Sequence, residues 1–264
     1  MLKTTIKKLK PYNKYITGAI LLVTLVLLFF IIKKNNRTKR IFNNIPMYCI
    51  FIPKRELYVK KMFDDLDLKV NFVKGVDKNK LNVEDLISQG KIKKWEQANP
   101  GRVACHFSHI SVLEKFLKTN NERCIIFEDD ITTTHTRDEI HNTMQNTLDN
   151  IPDDCDILFF GYCWDTCKKI KPVNEWINTA HYPRCRHAYS VNRHAAETII
   201  NKTLPMYNNG DEMMASLFVS NTLHTEEQEL KAYLASNIVF EQNRGGESGF
   251  KSELGNNNKI KHCS

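Results

Sequence analysis

Ile125-Ile126-Phe127-Glu128-Asp129-Asp130 joins a run of apolar side chains directly to three consecutive carboxylates. A short apolar run headed by Cys124 reads as a strand buried on both faces. Three adjacent acids at its end are unfavourable, because like charges this close raise each other's pKa. A hard divalent cation with oxygen ligands would compensate them. Ligands of open α/β sheets gather at the carboxyl ends of strands, which is where this triplet falls. The plain alternative is a solvated acidic turn that only ends the strand.

Working outward, Val103, Ala104, Phe107, Ile110, Leu113, Phe116 and Leu117 trace one helical face over Val103 to Leu117. Met47 to Ile52, stopped by Pro53, and Val70 to Val73 read as strands, with a helix from Glu56 to Leu66 between them. Downstream, Asp156 to Phe160, halted by Gly161, and Ala188 to Val191 read as strands. Asp138 to Leu148, Arg193 to Ile200 and Glu212 to Val219 read as helices. Short apolar strands alternating with helices predict an α/β domain built on a mixed, mostly parallel sheet. No internal repeat, GxGxxG or P-loop lysine is present, so any nucleotide must be held another way.

The chain has 264 residues, 42% hydrophobic and 26% charged, which allows one sizeable domain and excludes a disordered polymer or a collagen-like repeat. Its net charge of +8 is unevenly placed. Ten of the 38 Lys and Arg lie in residues 1–40 with no acid, leaving 28 against all 30 Asp and Glu in the rest. A nucleic-acid module would carry its basic patch on the folded body, so nucleic acid is not an expected partner. Between the basic clusters, Ile16 to Ile32 has seventeen residues without a charge. At 1.5 Å per residue it spans roughly 25 Å, the short end of a bilayer core, and no small-residue cleavage site follows it. The expected organisation is a basic tail (1–15), a single-pass anchor (16–32), a polar stalk (33–46) and a body (47–264). Five Lys/Arg on each side leave the orientation a tie. The sequons Asn36-Arg37-Thr38 and Asn201-Lys202-Thr203 are usable if the body is lumenal, the type II-like arrangement taken here. Eight cysteines permit four bridges, but their spacing demands none and completes no zinc pattern. They read as small buried hydrophobes with one or two disulfides.

Gly101-Arg102-Val103-Ala104-Cys105-His106-Phe107-Ser108-His109, followed by a helix and then by Glu128-Asp129-Asp130, resembles the signature of glycosyltransferase family 25. That family holds lipooligosaccharide sugar transferases and procollagen galactosyltransferases. Further matches follow in order: Met47 to Arg55, Gly75-Val76-Asp77, Ala188-Tyr189-Ser190, Asp211-Glu212-Met213, and Gln242 with Ser252-Glu253. The likeness spans about residues 47–254. It departs where the Asn of the first strand is either replaced by Phe51 or absent, where Pro53 interrupts the basic turn, where Lys60 or Lys61 replaces an Arg, and where the closing Ser-Asp is Ser252-Glu253.

The resemblance implies a GT-A-like domain that binds a UDP-sugar with a divalent metal, Mn2+ or Mg2+. It makes Asp130 the direct metal ligand, and Glu128 a contact of the metal, its water or the donor ribose. Asp129 shares either job, and the third ligand stays open among His187, His224 and His262. Asp77, Gly101, Ser108, His109 and Gln242 fall on the donor side, and Tyr189 and Trp164 are aromatics able to stack on a sugar. Asp211 is the expected general base, with Glu212 its substitute. Bland readings stand beside these: Asp77 as a turn residue, His109 as a satisfied core histidine, Asp211 as a helix cap. The function implied is transfer of a hexose, galactose or glucose, to a hydroxyl of a glycan or hydroxylated protein, with inversion. The alternatives are a catalytically silent glycan-binding or scaffold protein and, behind it, a metal-dependent hydrolase.

Overall fold

Met47–Phe51 forms β1, every residue of it buried. The protein is described here from a computed structural model that covers residues 19–29, 44–219 and 229–243. After β1 come α1 (Glu56–Asp65), β2 (Val70–Lys74), α2 (Val83–Ser88), α3 (Pro100–Leu117), β3 (Arg123–Glu128), β4 (Ile131–Thr132), α4 (Arg137–Asp149) and β5 (Ile157–Gly161). Then follow β6 (Pro172–Asn174), β7 (Ile177–Thr179), β8 (Ala188–Asn192), α5 (Arg193–Thr203), α6 (Gly210–Ser216), β9 (Ala232–Ala235) and β10 (Glu241–Gln242).

Eight strands make one sheet in the order β2-β1-β3-β8-β5-β9-β7-β6. The pairings β1–β2, β1–β3 and β5–β9 are parallel, and β8 runs antiparallel to both β3 and β5. With β7 antiparallel to β9 and to β6, all strands but β7 and β8 point one way. The sheet is therefore α/β, mixed and mostly parallel, as the sequence leads one to expect. β1, β5 and the middle of β3 are apolar runs buried along their length, as strands covered on both faces require. The carboxyl ends of β1, β2, β3 and β5 share one edge. Because β8 is reversed, the segment entering it arrives at that same edge.

Two local devices complete the edge. Asn99 caps α3 by accepting from the Arg102 N–H at 3.0 Å, and Pro100 occupies the first turn. The helix therefore starts before the apolar period does, and places Gly101 and Arg102 in its opening turn. At the end of β5, a Cβ on Gly161 would lie 2.3 Å from the Phe240 carbonyl oxygen and 2.4 Å from His187 Nε2. Only glycine lets the 240 segment cross there, and that crossing delivers β10 to its partner β4, pairing Gln242 with Ile131. A disulfide joins Cys163 to Cys185, tying the end of β5 to the segment entering β8. Cys49, Cys105, Cys124 and Cys155 are thiols.

The chain divides into two compact units, Met1–Asn44 and Ile45–Ser264. In the first, residues 19–29 are helical with exposed apolar side chains. The remainder of the expected anchor, the basic tail and residues 33–43 lie outside the described residues. No helix among the described residues is long and apolar enough to cross a membrane. His224, Ser252, Glu253 and His262 also lie outside them.

Candidate active site

The acid triplet is compensated by the protein's own cations and donors, and each of its three members is treated differently. Asp129 accepts from the Ile52 backbone N–H at 2.6 Å and from Arg55 Nη1 at 2.7 Å. Burial raises its pKa against the pull of those two donors. Arg55 sits on the turn after β1, where Pro53 fixes the first position, and its side chain is 5% exposed. The same guanidinium lies 3.6 Å from Asp130, whose side chain is 19% exposed against 8% for Asp129. Asp130 thus turns further toward solvent, and Asp129 is a buried anchor. Removing one partner of a buried ion pair costs about 3–5 kcal/mol. Arg55→Ala should therefore lower unfolding stability by about that amount, read as a fall in the urea midpoint. The double variant with Asp129→Ala should recover part of it.

Glu128 is held from two sides. His109 Nε2 lies 2.9 Å from its Oε1, and the Gln242 amide donates to its Oε2 at 3.2 Å. Burial works to raise its pKa, but the His109 hydrogen bond and the charge of Arg186 bring it down to about 2. An ionised carboxylate only accepts, so Nε2 of His109 carries the proton. Burial and Arg186 push the His109 pKa down to about 4, so the ring is neutral and its Nδ1 accepts from the Tyr189 hydroxyl at 3.1 Å. The Tyr189–His109–Glu128 chain fixes the carboxylate at the mouth of β3.

Two clefts meet at this carboxylate. The first, of about 460 Å3, gathers Asp77, Gly101, Ser108, His109, Glu128, Asp129, Asp130 and Gln242, together with Lys54, Arg55, Lys74 and Lys78. The second, of about 360 Å3, gathers Asp211 and Glu212 with Arg102, Arg184 and Arg186. Cys105, Glu128 and Gln242 line both and form the wall between them.

The geometry sorts the expected site residues. Ser108 lines the first cleft, but its hydroxyl accepts from the Val76 N–H at 2.8 Å and donates to the Ala104 carbonyl at 2.6 Å. It therefore pins the chain after β2 to α3. Asp77 caps the turn that follows by accepting from Asn79 at 3.0 Å, while still facing the cleft. Tyr189 does not reach either cleft. It is 1% exposed, and its hydroxyl is committed to His109, so it orients a histidine and does not stack on a sugar. Trp164 is half-exposed. Asp211 accepts from the backbone N–H groups of Cys185 (3.3 Å) and Glu212 (3.0 Å). Glu212 is engaged by Arg184 and by the Tyr182 hydroxyl at 3.1 Å, whereas no cation pairs with Asp211 among the described residues. His187 is buried with Nε2 3.2 Å from the Phe240 carbonyl.

Cys105, His109 and Glu128 bring three donor atoms within 4.8 Å of one another, a possible metal-binding group. Burial and the charge of Glu128 push the Cys105 thiol up to about 12, and both His109 nitrogens are engaged, so this trio suits an ion poorly at neutral pH. Of the four carboxylates that line the first cleft, Asp129 is committed to Arg55 and the Ile52 N–H and Asp77 to the Asn79 N–H, while Glu128 and Asp130 stand together at the end of β3 as hard oxygen donors. Cys163, Cys185 and His187 also cluster, but the two sulfurs are already bonded to each other.

Two adjoining clefts at the carboxyl ends of the strands, each lined by cations and carboxylates, make the candidate site of a group-transfer enzyme. The comparison with known families makes that class a glycosyltransferase. Residues 52–214 match glycosyltransferase family 25, described as an LPS biosynthesis protein, and because the match spans more than half of the chain, the chain belongs to that family. No protein of curated function matches the sequence. Among solved structures the chain is similar to A197 from STIV, with TM-score 0.34, 10% identity, and 78% of this chain and 99% of that one covered. A glycosyltransferase involved in the glycosylation of the major capsid of PBCV-1 gives TM-score 0.32, 9% identity, and 60% and 66% coverage. Apo mouse xyloside xylosyltransferase 1 gives 0.34, 12%, and 69% of each chain. Likenesses this distant decide nothing about the chemistry.

Arg55, Arg184 and Arg186 are absent from the sequence-based site. Arg55 closes the Met47 to Arg55 stretch that resembles the family's first strand and basic turn, and the three adjacent acids were a second sign that a cation was needed, whereas Arg184 and Arg186 carry no periodic or motif signal of their own.

Proposed function

We propose that the chain is a GT-A-type glycosyltransferase that moves a hexose, galactose or glucose, from a UDP-sugar to a hydroxyl of a glycan or hydroxylated protein, with inversion. The observation that carries this reading is the shared wall: Glu128 and Gln242 belong to both clefts, so ligands in the two would meet across them. The first cleft suits the donor, with Lys54, Arg55, Lys74 and Lys78 available to a diphosphate. The second suits the acceptor, with Asp211 as general base. The acceptor oxygen bonds to the anomeric carbon, the anomeric bond to the phosphate oxygen breaks with its electron pair leaving on UDP, and the hydroxyl proton passes to the Asp211 carboxylate.

Asp130, more open than Asp129, and the ionised Glu128 fit a hard divalent cation that completes its shell with phosphate oxygens and water. Bound there, Mn2+ or Mg2+ would neutralise charge on the departing diphosphate. His109 and Gln242 hold Glu128 in position whether or not the ion is bound. Residues 16–32 are proposed to anchor the enzyme in a membrane, and the Cys163–Cys185 disulfide favours a body on the oxidising, lumenal side.

The test is a thermal-unfolding titration of the full chain in detergent with UDP and MnCl2. Ligand at a hundredfold over its Kd stabilises by about 2.7 kcal/mol, a rise of several degrees in Tm. UDP should also be released from UDP-galactose or UDP-glucose. If neither UDP with Mn2+ nor either sugar nucleotide moves the Tm or releases UDP, the chain is a silent relative and the enzymatic reading is wrong.

A further inference from the structure

We propose that the second cleft takes an acceptor with a negative charge of its own, a carboxylate or a phosphate ester, held by Arg186 and Arg102. The inference rests on the acceptor reading of that cleft and specifies the acceptor's chemistry.

Arg186 precedes β8 and is 4% exposed, yet among the described residues no carboxylate lies within 4.0 Å of it. Its terminal nitrogens meet His106 Nδ1 at 3.3 Å and Cys105 Sγ at 3.7 Å. Neither neighbour is a carboxylate, and burial together with Arg186 itself holds the His106 imidazole well below its usual range. Burial opposes the charge of Arg186, and a field of neighbours that includes Glu128 and Asp211 keeps it cationic from a distance. A buried cation with no anion in contact is unfavourable by several kcal/mol. The fold nonetheless makes room for it: a Cβ on Gly210 would lie 2.3 Å from Arg186 Nη2.

Arg102, across the same cleft, has a similar lack. Its Nη1 bonds the amide oxygens of Gln97, at 3.0 Å, and Asn209, and its buried Nε has no hydrogen-bond partner. The acids nearby are taken. Glu212 is paired with Arg184, Glu128 is held by His109 and Gln242, and Asp211 faces its own backbone donors. Two guanidinium groups are therefore left to a ligand, and their planar forks suit carboxylate or phosphate oxygens in pairs. An anion docked there would place a neighbouring hydroxyl beside Asp211.

The full chain in detergent, first titrated with UDP and Mn2+, is then titrated calorimetrically with methyl galactoside, methyl galacturonide and galactose 6-phosphate. The charged sugars should bind about tenfold or more tightly than the neutral one, and Arg102→Gln, which leaves the buried Arg186 in place, should remove most of that preference. The two charged arms tell carboxylate from phosphate. Equal affinities, or no binding by any of the three, overturn the proposal; if UDP still binds, the donor reading survives that result. A failure of UDP itself to bind removes the donor reading and this inference with it. Weakened UDP binding in Arg102→Gln with the sugar preference intact would assign the pair to the donor and overturn it as well.

Discussion

Asp211→Asn should lower kcat by about 10²–10⁴-fold, the usual contribution of a positioned general base, while leaving UDP binding unchanged. Asparagine keeps the size of the side chain, and its single carbonyl oxygen can still accept from one of the two N–H groups, of Cys185 and Glu212, that reach different oxygens of Asp211. What it lacks is a carboxylate able to take the acceptor proton. Glu212→Gln should cost less at the chemical step, because that carboxylate is already engaged by Arg184 and Tyr182. Single-turnover transfer assays on both variants separate the two roles. A loss under tenfold in Asp211→Asn would move the base elsewhere.

Asp130→Ala should abolish the part of the UDP-induced rise in Tm that depends on Mn2+ and reduce kcat/KM by about 10²–10³-fold. A Lewis-acid cation supplies several kcal/mol of charge stabilisation, and each 1.4 kcal/mol is a factor of ten. Stability without ligand should fall less than in Asp129→Ala, since Arg55 keeps its partner Asp129 at 2.7 Å and loses only the 3.6 Å contact to Asp130. Asp129→Ala should behave in the opposite way. It strands Arg55, the buried cation paired with it at 2.7 Å, and should show its main effect in the unliganded unfolding curve. Measuring both variants with and without Mn2+ distinguishes an ion-holding acid from a structural one. Equal Mn2+ responses in wild type and Asp130→Ala would remove Asp130 as a ligand.

Much of the architecture can be read from the residues because the strands that build the sheet's centre are continuous apolar runs. Met47 to Phe51, Ile125 to Phe127 and Ile157 to Phe160 announce themselves, and reversed β8, Ala-Tyr-Ser-Val-Asn, carries no sign of its direction in its residues. The edge strands do not. β6 is Pro-Val-Asn with all three residues exposed, and β10 has two residues, so neither leaves a hydrophobic period. α3 shows a subtler limit. Its apolar face is legible, but His106, Ser108 and His109 are buried too, and only tertiary context shows that they bond Arg186, Val76 and Glu128. The triplet identifies the place of the chemistry. How its charge is balanced depends on Arg55 and His109, which are 74 and 19 residues away in sequence.

The reversed course of β8 has a bearing on how such an enzyme can diversify. Apart from the shared wall and Asn243, the cleft proposed for the nucleotide is built by chain before residue 131, whereas the opposite cleft draws heavily on residues 184–212. A lineage could rewrite that later stretch to accept a new glycan and inherit its sugar-nucleotide handling intact.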